Sequence, residues 1–159
     1  MRTAVIVGPI ALTTESWVES QADGTRETGC RVQVRRVRDT PPPVPPPLPR
    51  RDAVFWSIEE PIWRADLFSV VGGGSAFDAA HYHPTFSGLV PCERVADPAI
   101  QGDPFGWIAG RLADLPAIFA ESGHPELVDA VSADELRSAM PAVLATIRAT
   151  LDDTSDVTA

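Results

Sequence analysis

The sequence contains no lysine, so all thirteen of its basic residues are arginine. Together with the abundance of alanine and proline, this composition is typical of a protein from a bacterium with a GC-rich genome. The glycines at residues 72–74 cannot form a phosphate-binding P-loop, because that motif needs a lysine after its glycines and a following helix. We expect a flexible loop at this point, followed by a strand that carries histidines.

Cysteine is scarce, and Cys30 and Cys92 lie too far apart in the sequence to suggest a disulfide framework. Two reduced thiols are typical of a reducing compartment, so we expect a cytoplasmic protein, and a single bridge between Cys30 and Cys92 stays open as the alternative. No apolar run approaches the roughly 20 residues of a transmembrane helix, which predicts no membrane partner. Residues 3–12 are interrupted by Gly8 and Pro9, so they predict a first strand and not a signal peptide.

Basic residues are fewer than acidic residues, 13 against 22, and the net charge is −9. Residues 1–51 carry eight arginines against five acidic residues, whereas residues 52–159 carry five arginines against seventeen acidic residues. An acidic protein repels phosphate backbones, which predicts that nucleic acid is not a partner. The one basic cluster, within residues 31–38, is interpreted as the solvated side of a strand.

The hydrophobic period changes along the chain. Up to His83, short β-branched or alternating runs predict strands, with a turn at residues 22–25 and another at residues 59–61. From Asp103 onward, apolar residues recur at helical spacing, with Asp103 as a capping residue. The predicted strands cover residues 4–7, 15–20, 30–37, 53–58 and 62–71. The predicted helices cover residues 105–119, 125–131 and the stretch from the Ser132 cap to Leu151, and Pro116 is expected to kink the first of them or to end its first half.

Strands followed by helices predict an α+β fold. We expect a curved antiparallel sheet in the N-terminal two thirds, with two or three C-terminal helices packed on one face. Residues 1–151 are predicted to form a single domain, and residues 152–159 a frayed tail. Residues 40–49 contain seven prolines and are interpreted as a stiff connector within the domain. The alternative is a docking peptide for a partner.

The candidate site is centred on His81 and His83, which share one face of a predicted strand at about 7 Å spacing. Two imidazoles at this spacing can act in acid–base chemistry or can bind one divalent transition metal ion. Asp66 and Glu93 are the best additional carboxylates for completing a metal shell, and Asp66, Asp78 or Glu93 could orient a histidine. We therefore predict His81, His83, Asp66 and Glu93 as catalytic residues, and His81, His83 and Glu93 as metal ligands.

A substrate pocket is predicted beside the two histidines, where an apolar molecule could bind. Arg64 alternates with apolar residues on the strand that carries Asp66, so the two charged groups are expected to pair if they are buried. The predicted substrate-binding residues are Trp56, Trp63, Arg64, Tyr82 and Phe86.

The same stretch resembles the first metal motif of the cupin family. The similarity comprises Gly74, the pair His81 and His83, and the later Glu93. It implies a metal centre on a β-sheet. The glycine-to-histidine gap is one residue longer than in that motif and Glu93 lies further along, and His124 lies at a predicted helix start and not in a second motif.

Three functions remain open from the sequence. The first is a small-molecule-binding domain, with His81 and His83 as acid–base groups for proton transfer, cyclisation, dehydration or hydrolysis. The second is a metal-binding protein similar to cupins. The third is a noncatalytic protein that regulates or binds a partner protein. The expected partner is a small-molecule ligand, and a second copy of this chain stays open as another.

Overall fold

The computed structural model describes residues 2–20, 26–39, 56–68 and 80–156, and these residues have the predicted α+β fold. Six strands form one antiparallel sheet in the order β1-β2-β3-β4-β5-β8, and β6 pairs with β7 in a separate hairpin. The strands are β1 (Arg2–Val7), β2 (Ile10–Ser20), β3 (Arg26–Asp39), β4 (Trp56–Phe68), β5 (His81–His83), β6 (Phe86–Ser87), β7 (Val90–Pro91) and β8 (Val95–Ala96). The helices are α1 (Pro98–Gly102), α2 (Pro104–Ala113), α3 (Leu115–Glu121), α4 (Leu127–Ala130) and α5 (Ala133–Asp156).

The first strand ends at Gly8 and Pro9, as predicted, and a tight hairpin follows there. Val7 of β1 pairs with Ile10 of β2, so only Gly8 and Pro9 connect the two strands. Gly8 has φ of 53°, a left-handed conformation that glycine adopts at little cost. The strand β2 is nevertheless longer than predicted, because its polar threonines still pair with β3.

The predicted turn at residues 59–61 is wrong. Residues 56–68 form the single strand β4, which pairs with β3 along its length. Pro61 lies opposite Arg35, where the register shifts on both sides of Arg35. Such an irregularity tolerates the missing N–H of proline, so Pro61 bends the strand without ending it.

Three of the five helices, α1, α2 and α3, begin at aspartates that accept hydrogen bonds from free backbone amides. Asp103 accepts from the Gly106 amide, and Asp114 accepts from the Ala117 amide. The predicted helix at residues 105–119 is therefore two helices, α2 and α3, that meet at Asp114. Pro116 lies in the first turn of α3, where its missing N–H costs no hydrogen bond.

All five helices follow the sheet, and their apolar side chains form the main core with one of its faces. Leu12, Val34 and Trp63 are partners across β2, β3 and β4, so they share this face. They are buried together with Ile108 of α2 and Ile147 of α5. The opposite face of the sheet carries a different, polar set of side chains.

Three sequence predictions lie outside the described residues: the turn at 22–25, the proline-rich connector at 40–49 and the glycine loop at 72–74. Helix α5 continues to Asp156, which is within the predicted tail. Among the helices in the part of the chain that the structure describes, none is long and apolar enough to cross a membrane.

The two cysteines differ sharply in environment. Cys30 is fully buried in the core, whereas Cys92 is exposed. Burial, with a smaller contribution from the charge of Asp66, raises the pKa of the Cys30 thiol to about 12. This pKa is above the value of about 8.5 in the unfolded chain. The protonated Cys30 thiol therefore stabilises the folded state fully below about pH 8.5, and this stabilisation is lost as the pH rises towards 12.

We expect iodoacetamide at pH 8 to alkylate Cys92 rapidly and to leave Cys30 unmodified in the folded protein. Intact-mass spectrometry should show one added group per chain, and two after unfolding in guanidinium chloride. Two additions to the native protein would mean that Cys30 is accessible.

Candidate functional site

Two rows of polar side chains cross the sheet on the face opposite the helices. Residues that are direct partners in neighbouring strands share a face, so the register alone defines these rows. The first row consists of Arg2, Glu15, Arg31, Asp66 and His81. The second row consists of Ala4, Thr13, Gln33, Arg64 and His83.

Asp66 is the centre of the charged groups. Its side chain is 4% exposed, and Arg31 Nε lies 2.7 Å from its Oδ1. Arg64 Nε lies 2.8 Å from its Oδ2. A buried carboxylate needs such partners, because an unpaired charge in the interior is costly. The expected pairing of Arg64 with Asp66 is therefore present, and Arg31 joins it from the neighbouring strand.

Both histidines direct their Nε2 atoms at the same carboxylate oxygen. His81 Nε2 and His83 Nε2 each lie 3.6 Å from Asp66 Oδ2. The two rings are nearly perpendicular, with centroids 4.9 Å apart, and both residues are buried. One potential ligand atom from each of the three residues lies within 4.8 Å of the others. The structure thus forms a compact, buried group of two imidazoles and one carboxylate.

His83 is held in one tautomer by the main chain. Its Nδ1 lies 2.5 Å from the carbonyl oxygen of Glu93, and a carbonyl can only accept, so Nδ1 carries the hydrogen. The Nε2 atom then has the lone pair. It is buried and forms no hydrogen bond with any residue in the described ranges. The pKa of His83 is lowered, chiefly by burial and also by the charge of Arg64, so the ring is neutral near pH 7.

These distances are close to those of a tetrahedral metal shell. Ligand atoms about 2.1 Å from a zinc ion are about 3.4 Å from one another, and the two nitrogen-to-oxygen distances here are 3.6 Å. All three potential ligand atoms lie within 4.8 Å of one another, so an ion between Asp66, His81 and His83 would draw these side chains closer together. The group can bind a metal ion or act in acid–base catalysis.

Glu93 contributes its main chain and not its carboxylate. Its side chain is exposed, and the group of three potential ligands does not include it. The carbonyl instead orients His83, a role typical of the groups that hydrogen-bond metal-binding histidines. Sequence reasoning missed this role, because the signal is a backbone contact between β5 and the segment before β8.

The five predicted substrate-binding residues are divided between the two faces. Arg64 and Phe86 lie near the histidines: Arg64 lies over the Phe86 ring at 5.8 Å, and the Phe86 and His83 centroids are 6.3 Å apart. Trp63 and Tyr82 stack on each other at 5.9 Å on the helix-covered face. Trp56 is 50% exposed at the start of β4.

The structure therefore brings Trp63 and Tyr82 into the core and not to the histidines. The sequence already indicates that these two aromatic side chains point away from the histidines, because each is adjacent to a site residue in its strand. Trp63 precedes Arg64, and Tyr82 lies between His81 and His83. Neighbours in a strand point to opposite faces.

Comparison with protein-family models, with curated proteins and with solved structures finds no match for this chain. The resemblance to the cupin metal motif consequently depends on the pair His81 and His83. Gly74 lies outside the described residues, and the Glu93 side chain is exposed.

Proposed function

We propose that the protein binds one divalent transition metal ion through Nε2 of His81, Nε2 of His83 and the carboxylate of Asp66. Two imidazoles and one carboxylate on one side of an ion leave other coordination positions open, as in catalytic sites. A small molecule binds at these open positions. Bound there, the ion would supply Lewis-acid chemistry to this molecule or to a water.

The observation that carries the proposal is the environment of His83 Nε2. Its lone pair faces a carboxylate oxygen at 3.6 Å, in a buried position and beside a second imidazole. Two electron-rich atoms that face each other repel unless a cation lies between them. A proton on Nε2 would serve, but burial and the charge of Arg64 lower the pKa of this group. A metal ion meets the need with the neutral ring.

The arginines constrain what completes the metal shell. Arg31 and Arg64 both bind Asp66, so the two guanidinium charges outweigh that of the single carboxylate. A divalent ion would add two more positive charges. An anion is therefore the favoured ligand for the open positions, either hydroxide or an acidic group of the substrate. Each carboxylate oxygen keeps a lone pair for the ion, since each can accept two bonds.

Cobalt binding tests this function directly. We expect the purified full chain, treated with a chelator and dialysed, to bind one Co²⁺ per chain and to acquire visible absorption bands of a low-coordinate site. Zn²⁺ should displace the cobalt and remove the bands, in keeping with its preference for nitrogen and oxygen ligands in four-coordinate sites. Failure to take up stoichiometric Co²⁺, Zn²⁺, Mn²⁺ or Fe²⁺ would contradict the proposal.

A second candidate function is metal-independent acid–base catalysis. It is supported by the neutral His83 ring, whose Nε2 has a lone pair that can accept a proton, and by the carboxylate of Asp66 beside it. Its substrate would be a small molecule whose proton lies within reach of Nε2. This function would be favoured if the protein, after treatment with a chelator, binds no metal but still binds small-molecule ligands, and if the His83→Ala variant loses this binding.

A further inference from the structure

A cavity of about 370 Å³ lies on the same polar face as the Asp66 group but at the other end of the sheet. Its Thr13 occupies the same row as His83, three strands away, which corresponds to about 14 Å at the usual strand spacing. The cavity is therefore separate from the proposed metal site. It is lined by Arg2, Thr3, Ala4, Thr13, Arg35 and Ile58.

Arg35 is the unusual member of this lining. Its Nη1 donates to Gln33 Oε1 at 2.9 Å, but its Nε is buried and has no hydrogen-bond partner among residues 2–20, 26–39, 56–68 and 80–156. Burial and the nearby charge of Arg2 lower its pKa, and the carboxylates of Glu15 and Glu60 offset part of this effect. The Nε–H of Arg35 is therefore a buried hydrogen-bond donor without an acceptor, which destabilises the folded state.

Arg2 and Arg35 line one cavity with like charges. Glu15 approaches Arg2, but only at 3.9 Å, and the Arg2 side chain is 62% exposed. An anion between the two guanidinium groups would relieve their repulsion and supply the acceptor that Arg35 Nε lacks. The Thr13 side chain, whose residue is 4% exposed, places a hydroxyl donor in the same lining.

The rest of the lining is apolar. Ala4 contributes a methyl group, and Ile58 is 40% exposed at the cavity. A volume of about 370 Å³ is at the small end of ligand pockets and exceeds what a simple inorganic anion fills. An occupant with a charged head and a short hydrocarbon body matches both parts of the lining.

We propose that this cavity binds a small organic carboxylate, with its head between Arg2 and Arg35 and its hydrocarbon body against Ala4 and Ile58. Planar guanidinium groups match the geometry of a carboxylate better than other cations do. The site is independent of the metal site, so it stands whether or not an ion binds at Asp66.

Hexanoate is a suitable probe. We expect hexanoate, titrated into the ¹⁵N-labelled full chain in the presence of a chelator, to bind saturably and to shift the Arg35 Nε–H resonance. Hexylamine, which has the same chain and the opposite charge, should cause no such shift. Inorganic phosphate should bind at least tenfold more weakly than hexanoate, because it lacks the apolar body.

Variants separate this site from a general charge effect. Arg35→Gln should weaken hexanoate binding at least tenfold, and Arg2→Gln should weaken it severalfold without disturbing the core. Arg38→Gln is the matched control, because Arg38 is on the same strand, is 69% exposed and pairs with Glu59 outside the cavity lining. It should bind hexanoate as the wild type does.

Three outcomes would overturn the proposal. Equal losses in the Arg35→Gln and Arg38→Gln variants would show an effect of overall charge. Equal binding of hexanoate and phosphate would exclude an organic carboxylate as the preferred class. Hexanoate binding that leaves the Arg35 Nε–H resonance unchanged would place the ligand elsewhere.

Discussion

The His83→Ala variant is expected to bind Zn²⁺ at least about 100-fold more weakly than the wild type. Losing a residue that merely hydrogen-bonds a ligand commonly costs about 10- to 100-fold in metal affinity, and His83 is itself a proposed ligand. The variant removes the nitrogen that is oriented by the Glu93 carbonyl and lies 3.6 Å from Asp66 Oδ2. Competition with a chromophoric chelator measures the change.

The third histidine provides the matched control. His124 lies in the connection between α3 and α4, where its Nδ1 is 2.9 Å from an Arg36 nitrogen and 3.4 Å from Glu126. His124→Ala therefore removes the same side chain from a site that lacks the carboxylate of Asp66. Its zinc affinity should equal that of the wild type. Equal affinities for all three proteins would show that zinc binds elsewhere.

His81→Ala completes the comparison. In the proposed site, both imidazoles contribute one nitrogen each, so His81→Ala and His83→Ala should cause losses of similar size. If only His83→Ala weakened zinc binding, the ion would have to be held without His81, and the proposed set of three ligands would be incorrect.

The fold class followed from the sequence because the hydrophobic period changes between the two parts of the chain. Alternation in Ile62, Trp63, Arg64 and their neighbours indicates a strand whatever it pairs with. The residue at which that strand begins was harder to predict, because proline occurs both in turns and in β-bulges. Pro61 is tolerated inside β4 by the register shift at Arg35, and only the pairing partner reveals such a shift.

The sequence predicts only those parts of the site that depend on the spacing of residues within one strand. His81 and His83 share a face because they are two residues apart in a strand, and Asp66 was the nearest acidic residue on another strand. Arg31 was not identified, since its contact with Asp66 depends on the register of β3 against β4. A single residue of slippage would have placed Arg31 on the other face.

Arg31 also shows how the charge pattern was misread. The arginines at residues 31–38 were interpreted as one solvated side of a strand, yet they occupy different environments. Arg31 binds the buried Asp66, whereas Arg38 is 69% exposed and pairs with Glu59. Arg36 contacts His124 and Glu126 on the helix side of the sheet. Sequence spacing alone cannot separate these roles, because each depends on the partner that another element brings close.

The aromatic residues on the helix-covered face lead to the second prediction with a large expected effect. Trp63→Ala should destabilise the protein by about 4 kcal/mol, within the range for deleting a buried aromatic side chain. Trp63 is fully buried, and its ring stacks on Tyr82 at 5.9 Å and on Trp107 at 6.1 Å. The loss would be a large part of the stability of a typical domain.

The polar contacts of Trp63 add to this loss. Its Nε1–H donates to Glu121 at 2.6 Å, and the Arg111 guanidinium, which also pairs with Glu121, lies over the ring at 5.7 Å. Removing the indole would leave Glu121 with one partner fewer and Arg111 with one aromatic face fewer. Trp63→Phe keeps a ring but loses the donor, so it should cost less than Trp63→Ala.

Trp56 is the matched control for this prediction, because it is the same residue type on the same strand. Its side chain is half exposed, so Trp56→Ala should cost less than about 1 kcal/mol. Urea unfolding followed by circular dichroism measures both variants. A chain of this size loses about 2–4 °C of melting temperature per kcal/mol, which predicts a fall of about 8–16 °C for Trp63→Ala alone. Similar losses for the two tryptophans would contradict the division of β4 into a face packed by the helices and a face that carries the site.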